Sequence, residues 1–587
     1  MGDSYIIAID FGTAYSGYAY SVTPKEKEIE PILKKWGEEI GLETPKTPTS
    51  ILFDEHGEFM KFGYEAKAAY INVRGEDAKK QYFFENFKMA LYGRELTRDV
   101  TVKAANGKEM TALKVFTESL RFLKDDALTT ISSNTGMKFL ASDFTWVLTV
   151  PAIWDPSAKQ FMREAATEAG IVTEGTAEKL VIALEPEAAS VWCKKLPSDG
   201  FITQNHSRNS LDQSPGTQYI VVDCGGGTID ITVHEVLAGG ALKELHKASG
   251  NDLGGQNVDR KFKEFLREIF CDGVWDEYEQ NYPSEVQKMM YDFTRLKQVD
   301  EDVQITCQYN LGTLAQKKKA VEEFFECVKG VSWDDGCIRI SREKLRSLFE
   351  ESLQGISQSL REILKLGFSI EFILMVGGYA QSKILRQHII DQFGEQCNVL
   401  CPSRAQEAIV NGAVQFGRNP EVLASRKSAF TYGIAVCHIF RETKHKAEKK
   451  FTAEGLDYCH DVFKELVKEG EDVSWNETRE CFFCPIQSDQ TAMNMRFYRT
   501  ERKDAKYVDD WGVEEAGSFI VKMPDTTGGT DRTVRLDISF GAAEITATAT
   551  DRASGCKGSI QIDFMTKSRE NIKSRKVAHV PSVVLME

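Results

Sequence analysis

Two short segments of this 587-residue chain share one pattern, and their spacing restricts the fold more than any other feature. Tyr5-Ile6-Ile7-Ala8-Ile9-Asp10 is an apolar, β-branched run ending in an acid. Phe11-Gly12-Thr13 follows, and Tyr15-Ser16-Gly17-Tyr18-Ala19-Tyr20 resumes strand-like composition. Much further on, Tyr219-Ile220-Val221-Val222-Asp223 leads through Cys224-Gly225-Gly226-Gly227-Thr228 into Ile229-Asp230-Ile231-Thr232-Val233. Each reads as a β-hairpin whose turn carries Gly and Thr beside a strand-end acid. Asp10 and Asp223 lie 213 residues apart. A repeat of that length is too long for a solenoid. It predicts two similar α/β lobes in one chain, each opening with the same hairpin.

The segments around the hairpins fit that layout. Phe144 to Val150 and Leu180 to Leu184 read as buried strands, and Ser157 to Gly170 as an amphipathic helix stopped by glycine. Leu184 runs into Glu185-Pro186 and an alanine-rich helix start, and Phe372 to Val376 is a third buried strand ending on Gly377-Gly378. Pro197 to Gly216 loses apolar periodicity and reads as a surface loop joining the lobes. From Val258 to Lys319 helical patterns dominate, with a short strand near Val303 to Tyr309. The α/β unit is expected over 1–425, with lobe I at about 1–196 plus 400–420 and lobe II at about 218–398. After the mostly basic run Arg441 to Lys450, alternation takes over. Val534, Leu536, Ile538 and Phe540 share one strand face, and Ile560, Ile562 and Phe564 another, with turns at Gly528-Gly529 and Ser554-Gly555. This predicts a smaller β-sandwich over 426–566 and a tail over 567–587.

Composition removes several function classes. Lys and Arg number 73 against 88 Asp and Glu, a formal charge of −15. That excess of acid argues against a phosphate-backbone partner, so no nucleic acid is expected. No apolar run approaches the roughly 18–20 residues that span a bilayer, and Phe144 to Trp154 is short and interrupted by Pro151. The N-terminus has no basic stretch followed by an apolar core, so a cytoplasmic protein is expected, with the nucleus also open. The 13 cysteines are odd in number and scattered, as in a reducing compartment. Cys481-Phe482-Phe483-Cys484 has metal-like spacing, but structural zinc needs a second pair. The flanking aromatics and Pro485 suggest the start of a strand instead.

The hairpin turns carry a chemistry of their own. A turn of Gly and Thr exposes consecutive backbone N–H groups, and such a concave nest binds phosphate oxygens without side-chain bulk. Two such turns across an interlobe cleft would grip a triphosphate from both sides. Asp10 and Asp223, at the strand ends, would then face the cleft floor rather than a helix or a buried cation. There they would hold a hydrated Mg²⁺ mainly through water, since magnesium keeps most of its waters. Phosphoryl transfer is mainly positioning and charge stabilisation, so a lysine near the γ-phosphate and a carboxylate orienting the attacking water complete the parts sought.

These residues also carry a family resemblance. Ile9-Asp10-Phe11-Gly12-Thr13 resembles the first phosphate motif of the actin, sugar-kinase and heat-shock ATPase superfamily. Val222 to Asp230 resembles the second phosphate motif of 70-kDa heat-shock (DnaK-like) proteins. Val150-Pro151-Ala152-Ile153-Trp154, Glu185-Pro186-Glu187-Ala188-Ala189, Leu253 to Asp259 and Met375-Val376-Gly377-Gly378 are similar to further stretches of that family, in order from Tyr5 to Gly417. Tyr379 to Ser382 and Thr431 to Ile434 look most like its heat shock 70 kDa protein 12 branch. The resemblance implies a two-lobed actin-like ATPase fold with ATP or ADP and Mg²⁺ as cofactors. It implies that Asp10 and Asp223 hold the metal's waters, and that Gly12, Thr13, Gly225, Gly226, Gly227 and Thr228 bind phosphates. Gly254, Gly377 and Gly378 would approach sugar and phosphate. Glu185 would orient the catalytic water, against the plainer reading of a helix-start acid. Lys88 would face the γ-phosphate, against that of a solvated surface cation. The resemblance implies that Asp223 would join these two in catalysis and that Lys297 would contact adenosine.

The departures from the family are specific. Ala14 replaces a hydroxyl residue, and Gln381 stands where many relatives place an arginine against the adenine ring. In the family the β-sandwich binds unfolded client peptides under a helical lid. Here the 23 residues after Phe564 cannot build a long lid at about 1.5 Å per helical residue. Val584-Leu585-Met586-Glu587 also lacks the acidic terminus offered to cochaperones. The expected function is Mg²⁺-dependent ATP binding in a chaperone-like protein with slow hydrolysis, its clients unfolded or signalling proteins at the β-domain. The alternatives are a catalytically silent, nucleotide-gated scaffold and a sugar-kinase-type phosphotransferase.

Overall fold

The computed structural model describes residues 5–23, 30–73, 76–93, 96–203, 210–475, 477–540, 545–561 and 584–585. Tyr5–Phe11 is buried on both faces and sits inside a six-stranded sheet. Phe144–Val150 runs parallel to it with Leu180–Leu184 parallel beyond, and Tyr15–Ser21 returns antiparallel on the other side. Such near-continuous apolar strands are what a sheet covered on both faces requires. In this register Asp10 lies opposite Gly17 across the hairpin and Thr149 on the parallel side.

Gln218–Cys224 holds the same place in an eight-stranded sheet. It is antiparallel to Ile229–Val236 and parallel to Ile370–Val376, with Asp223 opposite Asp230 and Val376. The sequence repeat is therefore a repeat of topology: each acid-ended strand has its own hairpin partner on one side and a parallel strand on the other. One face of each sheet joins a shared core. Ile6 and Ala8 of the first and Val221 and Leu374 of the second join a buried cluster with Ala188 and Ala413. Ala188 belongs to the helix Glu185–Cys193 and Ala413 to the helix Ala408–Arg418. A β-carbon on Gly412 would come 1.7 Å from the Ala188 carbonyl oxygen, so glycine alone permits these helices to pack so closely. Their contact holds the strand ends that carry the acids in one frame.

Three features differ from the sequence reading. Pro197 to Gly216 is not wholly a loop: Phe201–Thr203 adds a strand antiparallel to Asn398–Pro402, and Phe201 and Leu211 are buried. Two apolar residues in a polar segment were enough to anchor an edge. The division expected at 425/426 falls inside the strand Leu423–Lys427, which pairs with Leu242–Asn251 on one side and Asp472–Ser474 on the other. The later part of the chain thus lends a strand to the eight-stranded sheet. Third, Cys481 lies midway along the strand Thr478–Cys484 and Cys484 at its end, so Pro485 follows a strand rather than starting one.

From Thr431 the chain is mainly antiparallel. One set of strands comprises Thr431–Ile439, Leu456–Val467, Ala492–Thr500 and Val513–Lys522, and the other Thr478–Cys484, Val534–Ser539, Thr546–Asp551 and Lys557–Gln561. Val534, Leu536 and Ile538 are buried while Arg535 and Asp537 alternate outward, and they share a core with Ile434, Met493 and Phe497. Ile562, Phe564 and nearly all of the tail over 567–587 lie outside the described residues. Ion pairs Arg499–Asp155 at 2.8 Å and Lys247–Glu469 at 2.7 Å tie this region to the α/β part, within which Arg426 pairs with the buried Glu187 at 2.5 Å. Among the described residues no helix is long and apolar enough to cross a membrane.

Candidate functional site

The two hairpin turns meet. A β-carbon on Gly226 would strike Ala14 at 2.7 Å, so the absence of a side chain lets the second turn rest against the first. Gly225 N–H donates to Thr228 O at 3.0 Å and closes the second turn, while Gly255 and Gln256 N–H groups donate to the carbonyls of Gly225 and Gly226. These bonds turn the carbonyls away, and the Gly226 and Gly227 N–H groups have no protein acceptor among the described residues. That is the donor arrangement a phosphate nest needs.

Around the turns lies a pocket of about 950 Å³, its open mouth included. Asp10, Gly12, Thr13, Lys88, Glu185, Asp223, Gly225, Gly226, Gly227, Thr228, Lys297, Gly377 and Gly378 all line it. Gly254 does not; it packs against Gly226 and Gly227, with its N–H on Gly227 O at 3.2 Å, and leaves the lining to Gly255 and Gln256. The sequence reading brought Gly254 itself to sugar and phosphate, whereas the residues that line the pocket are the next two along the chain. Gly377, at φ +86°, passes so close beneath the second acid that a β-carbon would lie 2.5 Å from Asp223 Oδ1.

The charged groups fall into two sets. Lys88 is buried, not a surface cation; its ammonium donates to Glu185 Oε1 at 2.8 Å and lies 5.0 Å from the centre of the Trp154 ring. Glu185 opens its helix, as its neighbouring proline implies. Asp10 does not face the cleft unaccompanied: Lys46 donates to Oδ2 at 2.5 Å and Thr149 to Oδ1 at 3.2 Å. Asp10 meets a buried cation, against the expectation that it would not, because the chain carries Lys46 to it. Asp223 Oδ1 is buried with no hydrogen-bond partner, and so is Asp230 Oδ2, while Asp230 Oδ1 accepts Ile153 N–H at 2.9 Å.

Crowding of these acids away from water shows in their proton affinities. Burial, opposed by Lys88 and reinforced by Asp10 and Asp230, pushes Glu185 up to about 7. Burial together with Glu185, Asp230 and Asp10 holds Asp223 well above the usual carboxylate range, and burial raises Asp230. Four carboxyls against two ammoniums is a donor set that favours an added cation. The orphaned oxygen of Asp223 is where one fits. Among the described residues no three His, Cys, Asp or Glu side chains converge on one metal-sized point. A divalent ion would therefore keep most of its waters.

At the far end Lys297 bonds to Gly255 O at 2.6 Å and pairs with Asp259 at 2.7 Å, beside Gln298, Phe349, Tyr379 and Gln406. Gln381 accepts from Gln406 at 3.1 Å, and the nearby Arg386 guanidinium is spent on the Ala380 and Gln381 carbonyls. Sequence reasoning missed Lys46 and assigned Asp230 no role. An acid inside a run of buried strand residues was the available signal for Asp230; Lys46, between Pro45 and Thr47-Pro48, offered none.

Comparison with known proteins agrees with this geometry. The Hsp70 protein family model matches residues 72–579. Heat shock 70 kDa protein 12A of Homo sapiens is 34% identical over 95% of this chain and 91% of its own length. Heat shock 70 kDa protein 12B of Homo sapiens is 32% identical over 96% and 91%. A chaperone protein DnaK, from Thermotoga neapolitana, is 23% identical over 86% of this chain and 71% of its own.

Proposed function

The chain belongs to the Hsp70 family, and from that premise we propose that it is a chaperone-like protein that binds ATP between its two glycine turns and hydrolyses it slowly with Mg²⁺. The observation that carries the reading is the convergence of both turns, both strand-end acids and the Lys88–Glu185 pair on one pocket. In this reading the six- and eight-stranded sheets are the cores of two actin-like lobes, and the pocket is the cleft between them. The antiparallel region after Thr431 is a β-sandwich module that takes extended client segments, unfolded or signalling proteins, in a cytoplasmic protein.

Each residue's part follows from its place. The Gly12–Thr13 and Gly225–Thr228 turns offer N–H groups and hydroxyls to the phosphates. Asp223 and Asp10 would hold Mg²⁺ through water, and the ion would supply positive charge against the phosphates. Lys88 sits where its ammonium can share itself between Glu185 and a γ-phosphoryl oxygen. Glu185, poised near neutrality, orients the attacking water and can take up its proton. The experiment is single-turnover hydrolysis measured beside ATP affinity. Tight ATP with measurable turnover is expected. Tight ATP with no turnover would favour a silent scaffold, phosphate appearing on a sugar would favour a kinase, and no ATP binding would end the reading.

A further inference from the structure

Lys46 is not part of either glycine turn, yet it reaches the centre of the site. Its backbone leads into Thr47–Pro48, which pairs with Tyr15 and Ser16 at the first hairpin, and its carbonyl accepts Thr44 Oγ1 at 2.9 Å. From there its aliphatic stem crosses Gly17, the residue opposite Asp10 in the hairpin register. A β-carbon on Gly17 would lie 3.1 Å from Lys46 Cγ and 2.9 Å from Pro45 O, so the bare glycine opens the path. The ammonium ends 2.5 Å from Asp10 Oδ2, with the lysine side chain 9% exposed and the aspartate 2%. The other oxygen of Asp10 accepts Thr149. The carboxylate is thereby neutralised by the chain itself, on a wall of the pocket that also presents Lys46.

A hydrated divalent ion drawn to that oxygen would find an ammonium already there, and both would serve the same anionic phosphates. We propose that Lys46 is a built-in counter-cation of the nucleotide site, supplying at Asp10 part of the positive charge that a divalent metal would supply. ATP binding consequently depends less on Mg²⁺ than it would without Lys46, while metal chemistry centres on Asp223. This inference rests on the ATP-binding reading given above and adds to it a residue and a weakened metal dependence of binding.

The test is calorimetric titration of the full chain with ATP, once in excess Mg²⁺ and once in EDTA. Loss of Mg²⁺ should weaken wild-type binding by less than about tenfold, and Lys46→Met binding by about a hundredfold, the scale of one charge-assisted contact. Lys46→Arg, which keeps the charge, should follow the wild type. Loss of wild-type binding in EDTA, or equal Mg²⁺ dependence in wild type and Lys46→Met, would overturn the role of Lys46 while leaving the ATP site standing. Absence of binding in every buffer would instead overturn the site itself. Should Lys46→Met not fold, the two wild-type titrations decide alone: retained affinity in EDTA supports the inference and lost affinity refutes it.

Discussion

The first and second hairpins are one element built twice, and they differ in what neutralises their acid. At the first, Lys46 and Thr149 occupy both oxygens of Asp10. At the second, Asp223 is closed in by Gly377, faces Asp230 across the hairpin, and keeps one buried oxygen without a partner. One acid is satisfied by the chain; burial and acidic neighbours raise the proton affinity of the other. The repeat therefore preserved a backbone and its strand pairing, but not a charge balance. Two copies of a turn are free to diverge electrostatically, because charge is set by whatever the rest of the chain brings alongside.

Breaking the self-contained half should have the largest effect. Asp10→Asn leaves the buried Lys46 ammonium without its counter-charge, and about 3–5 kcal/mol of stability should be lost. Asp223→Asn removes a carboxyl whose charge is disfavoured by burial and by its acidic neighbours, so its unfolding midpoint should stay near that of the wild type. Urea unfolding of both variants measures the contrast, and equal losses would mean that the asymmetry is not real.

Next comes chemistry against binding. Glu185→Gln keeps shape but removes the group that orients water, so turnover should fall about a hundredfold while ATP affinity changes little. Single-turnover rates beside calorimetry separate the two, and a parallel fall in affinity would return Glu185 to a structural role. A smaller effect is expected at Gly377. Its φ of +86° and the close approach to Asp223 make Gly377→Ala strained. About 1–2 kcal/mol of stability should be lost, together with weakened ATP binding, read by the same titrations.

The smallest effect is a pH slope. Glu185 holds its proton up to about 7 in the folded chain, against an ordinary value of 4.5. Between these values the folded state binds more protons than the unfolded state. The stability this group contributes is full below about 4.5 and is lost as pH rises through about 7. Between pH 5 and 7.5 the thermal midpoint of the wild type should therefore fall more steeply than that of Glu185→Gln. A parallel pair of curves would place Glu185 in contact with water and uncouple it from the crowding around Asp223.

Much of the site could be read before any coordinates. Continuous β-branched runs ending in Asp10 and Asp223 specified strands buried on both faces, and the Gly-Thr turns specified tight corners with free N–H groups, because both are matters of local backbone preference. The Leu184-Glu185-Pro186 junction marked a helix start for the same reason. Alternation at Val534, Leu536 and Ile538 marked a half-buried strand, although the strand at Phe201 escaped notice because two apolar residues set no period.

What only the tertiary structure decided are the pairs. Lys46 meets Asp10 across 36 residues and Lys88 meets Glu185 across 97, and Gly412 seats one helix on Ala188 from a distant part of the chain. Local preference reports how neighbours along the chain arrange their dihedrals. It says nothing about which ammonium a folded path carries to which carboxylate, and the charge of a buried site is the sum of those arrivals. The sequence by itself thus determined two glycine turns with free N–H groups and the acids beside them. Packing decided that one acid would be answered from within and the other left open.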